Sequence, residues 1–429
     1  MQKLTILGEG AVQEQELAAG QPVPACFTPP RMTDPYQHHR NPVLKGAERF
    51  LPGGIHTSPI GGGKTVRLLK VLQTNICEFD CFYCEHRASR DVPRTYVSPE
   101  ELARTFMMLH RKRLVDGLFL SSGITRKADT MQERMVQTAE ILRRRYRFKG
   151  YLHLKMMPGS SQAAVERTVE LADRVSLNLE APTPHHLSRL SAKKNFLDLL
   201  THIVWVKRIQ ELHPDWNRAG QITQFVVGAA GETDRELLSA TERLYKEIGL
   251  RRAYFSAFGP VPDTPIAHLG PTPLLRQHRL YQADWLMRFY GFSPAELAFN
   301  EQDHLPLETD PKMAWAGRHP EFFPLDIKTA PYERLIRVPG IGPVSAKRIV
   351  ELRRTLTLTD ARQLIRLGVV VKRAAPFLLL RGRSLVPISS QTRNKSTQLN
   401  LWSPDNLLPS DPDLTWEPDL DKLPQIHSG

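Results

Sequence analysis

The chain has 429 residues, 41% hydrophobic and 24% charged, with 58 Lys and Arg against 45 Asp and Glu, a formal net charge of +13. That length gives room for two or three domains, one with a sizeable core, and the composition is that of an ordinary globular protein. No run approaches 18 apolar residues and the N-terminus lacks an apolar signal segment, so neither a membrane span nor a secretory leader is expected, and a cytoplasmic, nucleoid-associated protein is.

Residues 1–65 read as an irregular, Pro- and Gly-rich segment holding the isolated Cys26. Its Gly61-Gly-Gly-Lys64-Thr65 run fails the phosphate-loop pattern and reads as a flexible entry into the next strand. From 66 to 260, β-type runs (Val66–Gln73, Gly117–Ser122, Tyr151–Met156, Val175–Glu180, Ile222–Val227, Arg252–Ala257) alternate with amphipathic stretches (Pro99–Arg111, Thr130–Tyr146, Ser161–Ala172, Phe196–Leu212, Asp234–Ile248). This alternation predicts an α/β domain, a partial (β/α)6 barrel with a parallel sheet. Residues 261–325 read as a barrel-associated extension around a helix at Pro273–Tyr290. Residues 326–385 read as a small all-α module with thirteen Lys and Arg against four acids, and 386–429 as a disordered polar tail.

Three of the four cysteines fall within eight residues, Cys77-Glu-Phe-Asp-Cys81-Phe-Tyr83-Cys84, directly after the first parallel strand. Thiolates this dense on a loop suit a soft metal centre. Three donors leave a [4Fe–4S] cluster one open iron, whereas a structural zinc would need a fourth ligand such as His86 or Cys26. A disulfide is disfavoured in a chain without a leader. The spacing, with an aromatic residue before the last cysteine, resembles the signature of the radical S-adenosylmethionine (SAM) enzymes. The resemblance implies that Cys77, Cys81 and Cys84 hold the cluster, and that the open iron chelates SAM for reductive cleavage to a 5′-deoxyadenosyl radical.

Other strand ends then read as a SAM pocket. Ser121, Ser122 and Gly123 end the second of these strands, where a glycine permits close backbone approach. Asn178 and Glu180 end the fourth, on one face by alternation; the competing reading pairs Glu180 with Lys155 or His153. Val227 and Gly228 stand where the superfamily contacts adenine, although Thr233 or Asp234 as a helix N-cap explains much of that segment. Cys26 as a hydrogen-atom donor and His185-His186 as metal ligands are weaker readings.

Leu335 to Val350, with Val338-Pro-Gly340-Ile341-Gly342 at its turn, has the form of a helix-hairpin-helix. Its glycine turn offers backbone N–H groups to a DNA phosphate, with Lys347 and Arg348 one turn on and Leu335, Val338, Ile341 and Ile349 packed within. Residues 360–373 read as a degraded second hairpin. In the tail, Gln398-Leu399-Asn400-Leu401-Trp402 resembles the bacterial sliding-clamp pentapeptide, Leu401 and Trp402 being its apolar anchors.

Taken with Arg279–Trp285, Tyr290–Phe292 and Asp310–Trp315, the cysteine loop and hairpin resemble a radical SAM family assigned to DNA modification or repair, whose genes neighbour one for a uracil-DNA-glycosylase-like protein. That implies a [4Fe–4S] cluster, SAM, a DNA substrate and such a partner. A DNA-binding adaptor with a structural or redox-sensing cluster, and a radical SAM enzyme acting on RNA, are the alternatives.

Overall fold

The computed structural model describes residues 54–385 apart from 62, 63, 126 and 127, together with Lys3 and Ile6–Gly8. Cys26 and the pentapeptide at 398–402 lie outside the described residues.

One compact unit ends at Asp284 and takes back Phe299–Glu308; a second holds Trp285–Ala298 and the chain from Thr309. In the first, seven strands run in sequence order: β1 (Ile55–Gly61), β2 (Lys64–Leu72), β3 (Gly117–Ser121), β4 (Tyr151–Lys155), β5 (Arg174–Ser176), β6 (Gln221–Val227) and β7 (Arg252–Ala257). β2 to β7 are parallel neighbours, and crossovers between them carry α1 (Pro99–Arg111), α2 (Ala128–Glu140), α3 (Gln162–Leu171), α4 (Pro184–Leu190), α5 (Phe196–Leu212) and α6 (Asp234–Arg243). Single π turns at Ile141–Arg145 and Leu244–Ile248 extend α2 and α6 to nearly the ends that their amphipathic pattern predicts.

The helix starts follow from local chemistry. Ser98, Ser161, Thr183 and Asn195 each accept a backbone N–H three residues on. Thr233 makes a reciprocal capping box with Glu236. Helix faces and strand faces meet in a core that includes Phe106, Leu118, Met135, Leu154, Phe225 and Phe255, all almost fully buried.

Two expectations are corrected. Residues 55–61 are not irregular: they pair antiparallel with β2, Ile55 opposite Leu69 and His56 opposite Leu68. Pairing satisfies the backbone of β2's outer edge, a tertiary demand that the Gly- and Pro-rich sequence conceals. The fourth parallel strand stops at Ser176 rather than Glu180, because Glu180 turns left-handed (φ +65°) and touches β6 only through a bridge to Phe225.

Helix α7 (Leu274–Tyr290) runs from the first unit into the second. The second unit adds α8 (Pro311–Arg318), α9 (Tyr332–Leu335), α10 (Pro343–Leu352), α11 (Ala361–Arg366) and α12 (Val371–Ala374). It is not all-α: β8 (Leu325–Asp326), β9 (Leu378–Leu380) and β10 (Arg383–Ser384) form a small sheet. The core of this unit contains Leu335, Val338, Ile341, Ala346, Ile349, Leu364 and Ala374.

Its two helix pairs repeat. Leu335-Ile336-Arg337 precedes a left-handed Gly340 (φ +88°), and Leu364-Ile365-Arg366 precedes a left-handed Gly368 (φ +89°). A buried alanine follows each glycine by six residues, Ala346 and Ala374. The packing is reciprocal: a Cβ on Gly340 would meet Val370 and Arg373, and one on Gly368 would meet Ser345.

Candidate active site

The cysteine loop leaves β2 at Gln73 and is anchored before any ligand enters. Asn75 donates to the Pro93 carbonyl (2.8 Å) and accepts from Thr95 N–H (2.8 Å). Arg94 donates to four carbonyls at once: Asn75 (2.6 Å), His86 (2.8 Å), Arg87 (2.6 Å) and Arg90 (2.9 Å). The far side is tied by Glu78 N–H to Ile124 (2.7 Å) and Phe82 N–H to Leu190 (2.9 Å). Removing the guanidinium in Arg94→Ala should cost at least about 2 kcal/mol, since charged donors to buried carbonyls are worth more than neutral ones. Denaturant unfolding of the metal-free protein reads that loss, and limited proteolysis within 85–94 should accelerate.

Within this frame Cys77, Cys81, Tyr83 and Cys84 line one cavity, about 1120 Å³ counted to its open mouth. Ser122, Gly123, Lys155, Asn178, Glu180, Lys194, Gln224 and Val226 complete much of the wall. Among the described residues, no three His, Cys, Asp or Glu side chains converge on a single-ion position. The thiols instead share a wall, the arrangement for a multi-iron group whose irons are ligated separately. Burial pushes the Cys77 thiol up, and the neighbouring Cys81 adds to it, despite N–H donors from Ile124 and Phe79 and the nearby charge of Lys194.

Gly123 is required for another reason than ligand approach: a Cβ there would stand 2.2 Å from the Ile76 carbonyl. It is the surface on which the cysteine loop rests. Beside it, the buried Ser122 hydroxyl has no hydrogen-bond partner. An unsatisfied hydroxyl on a cavity wall is a group held ready for a polar ligand.

The reading that pairs Glu180 with Lys155 or His153 is corrected. Its partner is Lys194, at 2.8 Å, and Lys194 also donates to the Tyr83 hydroxyl at 2.8 Å. Burial opposes the Lys194 charge, but Glu180, with Cys81 adding to it, outweighs burial and holds the ammonium firmly protonated. Burial raises the Tyr83 phenol well above its ordinary range, helped by the charges of Cys81 and Glu180. Lys194 is the site residue that the sequence reading misses. It follows Lys193 just before the α5 cap, and nothing in that short run marks it.

Three expected SAM contacts do not line the cavity. Ser121 lies outside its wall. Val227 and Gly228 are turned away by alternation along β6, which gives Gln224 and Val226 to the cavity and Phe225 and Val227 to the helical side. The Val227 carbonyl accepts from Thr272 and Phe258, and Gly228 N–H donates to Glu232, while a Cβ on Gly228 would strike Thr272 at 2.0 Å. His186 bonds Thr183 at 2.8 Å and stands 3.8 Å from Glu236 of α6, with the His185 ring beside it.

In the second unit, Val338 and Ile341 are fully buried and their N–H groups are used by Leu335 and Val338 carbonyls. Neither can donate outward. Ile341's own carbonyl accepts from the buried Lys312 (2.5 Å), which braces the turn from α8. Lys347 and Arg348 are exposed on α10, Lys347 only 3.9 Å from Glu351. What the turn presents is therefore Gly340, Gly342 and those two cations.

A family model described as the Radical SAM superfamily matches residues 71–244, the span from the end of β2 through α6. Solved structures of similar fold include the FeFe-hydrogenase maturase HydG from Carboxydothermus hydrogenoformans (TM-score 0.41, 15% identity, 50% of each chain). Others are methylornithine synthase PylB (0.41, 14%, 50% of this chain and 60% of that) and the radical SAM methyltransferase TsrM from Kitasatospora setae (0.35, 14%, 46% and 38%). The chain covers about half the length of the first of these. No curated protein matches it.

Proposed function

We propose that this chain is a radical SAM enzyme, with a [4Fe–4S] cluster and SAM as its cofactors, that modifies or repairs DNA; the Radical SAM family model matching residues 71–244 and the three cysteines on one cavity wall support the first part of that reading. The cluster and SAM supply a 5′-deoxyadenosyl radical when bound. Cys77, Cys81 and Cys84 would hold the cluster, and the orphaned Ser122 hydroxyl with Asn178 and Glu180 would meet polar groups of SAM. Lys194 ties Glu180 and Tyr83 to the same wall, which would hold those groups in place for a bound cofactor. Its largely apolar remainder keeps bulk water from reactive groups.

The DNA substrate rests on one observation, the repeated helix pair of the second unit. Left-handed glycines at 340 and 368 each open a turn ahead of a basic helix, a helix-hairpin-helix arrangement that suits a phosphate backbone. Lys347→Ala should reduce the salt slope of duplex binding by roughly one unit, alike for every sequence. Titration of fluorescent duplexes at several salt concentrations reads it; an unchanged slope would remove the α10 contact. The same titration with structured RNA decides the nucleic acid. A uracil-DNA-glycosylase-like partner and the sliding clamp, the latter through Gln398, Leu399, Leu401 and Trp402, are partners this reading suggests; co-purification and a peptide of residues 394–405 test them.

A further inference from the structure

Two neighbouring turns of the first unit carry a dense positive charge. α1 ends in Arg111, Lys112 and Arg113 ahead of β3. α2 and its π turn end in Arg144, Arg145, Arg147 and Lys149 ahead of β4, and all seven residues are exposed. The turns adjoin: the Phe148 ring stands 5.0 Å edge-on to both Phe106 and His110, and a Cβ on Gly150 would lie 2.9 Å from the Asp116 carbonyl. Gly117 and Tyr151, where the two strands begin, are register partners. This rim is the opposite end of the strands from the cysteine cavity, which Leu72 and Lys155 line from the last positions of β2 and β4.

The carboxylates around these turns are committed to other cations. Asp116 pairs with Arg67 (2.8 Å), Asp173 with Arg143 (2.7 Å) and Glu140 with Arg167. None of the seven has a carboxylate partner among the described residues. Compensation of the helix dipole accounts for cations inside the last turn. It does not account for Arg113 and Arg147, which stand beyond the helices at φ +55° and +51°. At both places the next residue's N–H returns to the helix, Leu114 to Leu109 (3.0 Å) and Phe148 to Leu142 (2.9 Å). This is the helix-ending position that glycine fills without steric cost. An arginine there strains the backbone, and a strained residue kept at both turns points to a use for its side chain.

We propose that this rim is a second DNA-binding surface, which grips a run of backbone phosphates without reading sequence. DNA rests on the reading above; a polyanion rests on the rim alone. Five of the seven cations are arginines, whose planar forks suit phosphate oxygens. Among the described residues between 109 and 150 no large apolar side chain is exposed, so nothing on the rim would enter a lipid surface. Seven charges are more than half of the chain's formal excess of +13, gathered at one rim. A backbone held at this end of the strands is held away from the cavity, so the rim adds affinity and leaves the reacting group to be placed by others.

The test titrates a fluorescent DNA duplex with the full chain at several salt concentrations, with structured RNA and vesicles containing anionic phospholipid as further probes. Arg144→Gln with Arg145→Gln, and separately Arg113→Gly with Arg147→Gly, should each lower duplex affinity about tenfold or more and flatten the salt slope by about two units. The glycine pair should also unfold at or above the original midpoint, since it relieves both left-handed turns. Arginines with a merely structural role would leave duplex binding unmoved in that pair, so it separates charge from fold. An unchanged slope in both double variants overturns the rim surface. Loss confined to structured RNA or to the vesicles would give the rim another occupant and overturn it as well. If both double variants weaken duplex binding while Lys347→Ala does not, the hairpin contact fails and the rim stands; a flattened slope in Lys347→Ala alone does the reverse.

Discussion

Cys81→Ala should retain no intact cluster and release 5′-deoxyadenosine only at background, while binding duplex DNA as before. Anaerobic reconstitution of the unaltered protein should give about four irons per chain. The substitution removes a buried thiol, 3.4 Å from the Ser191 hydroxyl, and little volume. The backbone ties around it, Phe82 to Leu190 and Cys84 to Cys81, do not use the side chain. Circular dichroism should therefore stay unchanged, so that lost iron reports ligation and not unfolding. A variant that kept four irons and full deoxyadenosine release would show that Cys81 is no ligand. Stoichiometric zinc in the unaltered protein, with no SAM cleavage after reconstitution, would sink the enzyme reading itself.

The second large effect belongs to the hairpin. Gly340→Val places a β-branched residue at φ +88° with its Cβ 2.6 Å from the Val370 carbonyl and 3.1 Å from Arg373 Cβ. Left-handed strain and a backbone clash together should cost about 3 kcal/mol or more in the second unit. Duplex affinity should fall by a similar factor for every sequence. Gly342→Ala is the informative contrast. Its φ is −96° and its added Cβ would lie an ordinary 3.4 Å from the Tyr290 hydroxyl, so it should fold normally. If Gly342→Ala folds and weakens duplex binding, the turn itself approaches phosphate. Full affinity in a folded Gly340→Val protein would instead assign the basic module another partner.

Legibility in the sequence followed the range of the interactions. Each crossover helix carries its own period and cap, so Pro99–Arg111 and Phe196–Leu212 are readable to the residue. The cysteine loop is readable because its chemistry is compressed into eight positions. Strand ends are less so: the strand stops at Ser176, short of the expected Glu180, although Asn178 and Glu180 still reach the same cavity wall. Alternation along β6 is what turns Val227 from the cavity. Lys194 could not be found, since its partners stand 14 and 111 positions away along the chain. The second hairpin reads in the sequence only as a degraded repeat, because its glycine lacks the proline and second glycine of the first; Gly368 declares it by backbone angle.

Among the described residues the seven-stranded sheet begins at β1 and ends at β7 with no pairing between them; along β7 the N–H groups of Ala253, Phe255 and Ala257 donate to the Tyr245, Tyr281 and Gln277 side chains, whereas β1 has no such cover. A bare β margin is a template on which another molecule's strand can add, the first step of aggregation. β1 answers this on its side. It carries Pro59, which has no N–H to offer, and its register slips between Pro59 and Gly61, which spoils a regular ladder for an incoming strand. A hairpin that looks like a mere prelude to the cysteine loop thus also guards the half-barrel against self-association through that margin.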